Sequence, residues 1–74
     1  MRVYDFEVLR DGVVVTAERA VPLADARAAW AEVERLAGRF AEPGCKIRVK
    51  DQTGRIVILT GVVSVLRHAR RLAA

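Results

Sequence analysis

The chain has a single cysteine, Cys45, and a single histidine, His68, within its 74 residues. One thiol leaves no partner for an internal disulfide, a usage that fits a reducing compartment. Zinc ordinarily requires three or four Cys, His or carboxylate ligands, so no metal centre is expected. A Cys45–His68 nucleophile pair would lack a third group to orient the base and a glycine-built oxyanion loop. Cys45 is read as a small apolar residue opening a strand, and His68 as a solvated member of a basic tail. Gly12, Gly44, Gly54 and Gly61 form no phosphate-cradling pattern. Asp51 in Asp51-Gln52-Thr53-Gly54 lacks the other acidic positions of a calcium loop and reads as an ordinary turn aspartate. No cofactor and no enzymatic activity are therefore expected.

Long apolar runs are missing too. The uncharged stretch Ile56 to Leu66 falls well short of the roughly 20 residues of a membrane-spanning helix. Asp5 and Glu7 interrupt any apolar core of a leader at the amino terminus. The expectation is a soluble cytoplasmic protein that does not engage a membrane. With 53% hydrophobic residues, the composition is not that of a disordered chain. A domain this short buries only about 60% of the surface its unfolded chain exposes, so oligomerisation is a natural supplement to its core.

What is present is an arrangement of turns around one amphipathic segment. Leu23 to Phe40 places Ala26, Ala29, Trp30, Val33, Leu36, Ala37 and Phe40 at helical spacing, and Asp25 near the positive end of the helix dipole. Pro22 is expected to end the preceding strand and suit the first helical turn; Pro43-Gly44 stops the helix. Upstream, Tyr4, Phe6 and Val8 alternate with Asp5, Glu7 and Leu9. Asp11-Gly12 predicts a two-residue type I′ hairpin turn, which requires positive φ at both positions. A regular ladder from that turn sets Val8 opposite Val15 and Phe6 opposite Ala17. Val13, Val15 and Ala17 would then share the aromatic face, while Val3, Asp5, Glu7, Leu9, Val14, Thr16 and Glu18 occupy the reverse.

Downstream, Lys46 to Lys50 alternates strictly, and Asp51 to Gly54 turns the chain back into Arg55 to Thr60. Equal parity puts Ile47, Val49, Ile56 and Ile58 against the helix. Lys46, Arg48, Lys50, Arg55, Val57 and Leu59 then point away, an assignment a bulge in the turn would invert. After Thr60 two readings stand. Val62, Val65, Leu66, Ala69 and Leu72 fit a helical stripe, whereas Val62-Val63 with Val65 fits a prolonged strand. The expected layout is one domain over 1–74: a hairpin at 1–21, a helix at 23–40, a second hairpin at 46–63, and a basic tail or short helix at 64–74. Its class is α+β, a four-stranded antiparallel sheet (ββαββ) with the helix across one face.

The strand Tyr4-Asp5-Phe6, the turn Arg10-Asp11-Gly12, the helix entry Pro22-Leu23-Ala24-Asp25 and the Ala-rich helix 26–37 carry a resemblance. So does the second hairpin, Val49-Lys50-Asp51-Gln52-Thr53-Gly54-Arg55. Together they resemble a family of short bacterial proteins known only as a domain of unknown function. Each of these features is turn chemistry or amphipathic patterning, so the resemblance implies a fold rather than an activity.

Two function classes compete. Val3, Leu9, Val14, Val57 and Leu59 fall on the sheet face that one helix cannot cover, where polar residues are the rule. That surplus favours a non-enzymatic interaction or assembly module, a homodimer or a docking site for a protein partner; the alternative is that the carboxy-terminal helix folds over this face. The net charge of +4 favours instead a basic accessory that binds nucleic acid through backbone contacts. Its candidate anion contacts are Lys46, Arg48, Lys50, Arg67, Arg70 and Arg71. Against it, Tyr4, Phe6, Trp30 and Phe40 read as core, whereas single-strand binders stack bases on exposed aromatics. Asp5, Glu7 and Glu18 can also pair across strands with the cations, leaving a mixed surface.

Overall fold

In the computed structural model, which describes residues 2–73, two hairpins and two helices form two layers. Strand β1 (Arg2–Arg10) pairs antiparallel with β2 (Val13–Leu23). A short 3-10 turn (Ala26–Ala28) then leads into α1 (Ala29–Arg39). Strand β3 (Cys45–Asp51), strand β4 (Ile56–Gly61) and helix α2 (Val62–Ala73) follow. The sheet order is β2-β1-β3-β4, so the first strand of each hairpin is central and both second strands are edges. The carboxy-terminal stretch is thus a helix beginning at Val62, and the sheet is the expected four-stranded antiparallel one.

The first turn has the geometry its sequence requires, with φ of 52° at Asp11 and 80° at Gly12. Beyond it the regular ladder fails. Leu9 pairs with Val14 but Val8 with Thr16, leaving Val15 as an extra residue. Phe6 therefore lies opposite Glu18 and Val8 opposite Thr16, so Thr16 and Glu18 move to the helix side and Ala17 to the reverse. A second irregularity sets Arg19 and Ala20 against Asp5. Ala20 takes a left-handed φ of 54°, and its N–H donates to Asp5 Oδ1 at 2.8 Å. Such a conformation costs a residue with a Cβ roughly 1 kcal/mol, which this charge-assisted bond offsets.

Pro22 does not end β2. It lies within the strand opposite Val3, because the outward edge of β2 has no neighbour that needs an N–H. The helical segment consequently starts later than the spacing predicts. Asp25, not Leu23, marks its entrance, its Oδ1 accepting from Ala28 N at 2.9 Å.

The core lies between the sheet and both helices. Tyr4, Phe6 and Val8 of β1 meet Ile47 and Val49 of β3, Ala29, Val33, Leu36 and Ala37 of α1, and Val62 and Val65 of α2. Fully burying each large aliphatic or aromatic side chain contributes about 1.5–3 kcal/mol. Two expected core residues, Trp30 and Ile56, are displaced. Trp30 is 45% exposed because it sits on the flank of α1 facing α2, not on the stripe through Val33 and Leu36, whereas Phe40 is half-buried and packs against the core with Arg39 over its ring. On β4 a bulge pairs Val49 with Ile58 and Lys50 with Ile56. Val57, the extra residue, packs against the core, and Ile56 is exposed.

Candidate interaction face

Helix α1 lies over β1 and β3, and α2 lies beside α1 over β3 and β4. Both helices thus occupy the same side of the sheet. The carboxy-terminal helix does not cover the reverse face, which stays open.

The register orders that face into columns, because directly opposed residues of paired strands share a side. One row reads Val14, Leu9, Lys46 and Gly61 across β2, β1, β3 and β4. The next reads Ala17, Glu7, Arg48 and Leu59. A third has the Arg19–Ala20 bulge, Asp5, Lys50 and Ile56. Down the strands, β1 carries an acidic column beside a basic column on β3, and both are flanked by small or aliphatic residues on the edges.

Glu7 is the one charged residue buried among the described residues, although it lies on the solvent side of the sheet. Arg48 Nε donates to its Oε1 at 2.8 Å, Lys50 Nζ lies 3.4 Å from the same atom, and Arg19 is 3.6 Å from Oε2. Arg19 also reaches Asp5 Oδ2 at 3.5 Å. The stems of these side chains close over the carboxylate. Hydrogen bonding from Arg48, then from Lys50, holds the Glu7 carboxyl below its ordinary range against the opposing effect of desolvation.

Of the predicted partner-face residues, Val3, Leu9, Val14 and Leu59 lie on this open side, and Val57 does not. Ile56 takes its place at 49% exposure, with Leu59 at 59% and Val14 at 41%. Sequence reasoning missed Ile56 because the bulge that rotates it outward has no marker such as glycine. Ala17 reached the face by the same kind of register shift. The cross-strand pairing of Glu7 with β3 cations was expected; that β1 and β3 are neighbours was not legible.

The candidate anion contacts are dispersed. Arg48 and Lys50 are engaged with Glu7, and Lys46 is exposed on the open face. Arg67 and Arg70 are exposed on α2, across the molecule, and the side chain of Arg71 lies outside the described residues, as do those of Ala69 and Leu72. Cys45 is buried beside Arg10, whereas His68 is exposed next to Trp30 and Glu34, so the two are not brought together. Among the described residues no group of three or more His, Cys, Asp or Glu could hold a metal ion. No described helix is long and apolar enough to cross a membrane. Asp51 caps its own turn, accepting from Thr53 N, Thr53 Oγ1 and Arg55 N.

These elements define a small two-layer α+β domain with one bare sheet face. The chain belongs to the family described as a domain of unknown function (DUF6894), which matches residues 3–64 and so spans both hairpins, α1 and the start of α2. No curated protein and no solved structure matches it.

Proposed function

We propose that the chain is a non-enzymatic interaction and assembly module that docks through the open face of its sheet onto a second copy of itself. The observation that carries this reading is the set of aliphatics Val3, Leu9, Val14, Ile56 and Leu59 on the one broad face that both helices leave bare. A stretch of sheet four strands wide and about 25 Å long covers roughly 500 Å², so two copies bury about 1,000 Å². That lies at the lower limit for a specific interface, so association is concentration-dependent rather than obligate.

Light scattering over a dilution series from about 1 µM to about 1 mM tests it, the range in which such an interface half-saturates. The mass should rise from one chain to two; a monomer throughout removes the reading. Salt-sensitive retention of duplex or single-stranded nucleic acid by that monomer would favour the runner-up, a basic accessory using backbone contacts. Its dispersed cations give that reading less support.

A further inference from the structure

We infer that the two copies are related by a two-fold axis running parallel to the strands, between β1 and β3, so that the acidic column of each copy lies against the basic column of the other. This inference rests on the reading that the open face docks a second copy. It adds the register and the residues that set it.

Sheets packed face to face and aligned keep their strands within about 30° of each other. Two kinds of two-fold axis in the interface plane achieve this. An axis across the strands sets β1 on β1 and β3 on β3. Asp5 and Glu7 would then meet their own kind, as would Lys46, Arg48 and Lys50, and opposed like charges disfavour that arrangement. An axis along the strands reverses the order of columns and keeps every row level. With the axis between the two central strands, Glu7 of one copy falls opposite Arg48 of the other, and Asp5 opposite Lys50. The edges match as well: Ala17 meets Leu59, a small residue under a large one, and Val14 meets Gly61.

Each charge is already paired within its own chain, so the second set of neighbours contributes orientation more than affinity. The driving force comes from the aliphatic edges. Lys46 fits the scheme, since its stem lies over Leu9 of the facing copy. Glu7 is enclosed by three cations of its own chain, so the contact that reads the charge of the facing copy is Asp5 against Lys50.

The test is cross-linking between two single-site variants, Ala17→Cys and Leu59→Cys, distinguished by mass. Facing sheets lie about 10 Å apart, so a bismaleimide of about that span bridges opposed positions and not laterally displaced ones. Cys45 is 3% exposed, and wild type supplies the background. The mixture should give the Ala17→Cys–Leu59→Cys product, with each variant alone no higher than wild type. Products of Ala17→Cys with itself and of Leu59→Cys with itself would overturn the axis, as would no product from a protein that dimerises. A charge exchange provides the second measurement. Asp5→Lys and Lys50→Glu, each confirmed folded by circular dichroism, should each weaken self-association at least tenfold, and mixing them should restore it. A mixture as weak as its components overturns the register. If wild type is monomeric by light scattering, the docking reading itself fails; if it dimerises with the wrong cross-links, only the axis does.

Discussion

Glu7 is a carboxylate buried by its own ion pairs rather than by the core. A carboxylate on a solvent-facing sheet would ordinarily stay hydrated, but here Arg48, Lys50 and Arg19 surround it and leave it 4% exposed. Its pKa is lowered in the folded state, so the stability it contributes is fully present above the unfolded value near 4.3 and is lost as pH falls through the lower folded value. Glu7→Gln should cost about 1 kcal/mol at pH 7, since a hydrogen bond to a charged group is exchanged for a neutral one in a partly screened setting. The deficit should shrink as pH falls below the unfolded value and be smallest at the lowest pH at which the fold survives, where the wild-type carboxyl is itself being protonated. Urea melts at the two pH values measure this; an equal deficit at both would show that Glu7 acts through packing. Phe6 and Tyr4 were legible as core because a strand has only two sides, whereas Trp30 lay close enough to the apolar stripe to be counted with it although it faces the flank.

The turns and the body of α1 were readable; α2, which also fitted a prolonged strand, and the registers were not. Asp11-Gly12 and Asp51 to Gly54 announced their turns through residues that tolerate positive φ or cap a bend. The bulges at Val15, Ala20 and Val57 had no such signal, and each reassigned side chains on an edge strand. The helix entrance moved for a related reason: an edge strand tolerates Pro22, so the strand runs on to Leu23 and the capping duty falls to Asp25. Asp25→Ala should cost about 1 kcal/mol and fray the first turn, while Asp25→Asn, which keeps an oxygen for Ala28 N, should retain most of it. Thermal melts followed by circular dichroism separate the two variants. Equal losses from both would mean that the charge of Asp25, rather than its acceptor geometry, supports the helix.

For the whole molecule, the decisive fact is where α2 goes. Its sequence allowed it to cover either face, and Val62 and Val65 commit it to the core already roofed by α1. The result is a slab only 16 Å along its shortest axis, one sheet and one layer of helices, with no described element behind the sheet. A second copy would supply the missing layer, and protonation of Glu7, whose carboxyl Arg48 and Lys50 hold below its ordinary range, would then bear on assembly as well as folding. Above the carboxylate range the acidic column opposes the facing basic column. Below it the Glu7 carboxyl is neutral, the cations are not, and a net charge already at +4 becomes more positive on both copies. Self-association of such copies should therefore weaken as pH falls through the lowered range of the Glu7 carboxyl, where repulsion between the two positive copies works against the aliphatic edges. Light scattering paired with circular dichroism distinguishes this from unfolding, because dissociation should halve the mass while the sheet signal persists. A dimer that keeps its mass down to the pH at which the fold is lost would mean that the charge columns have no part in holding the copies together.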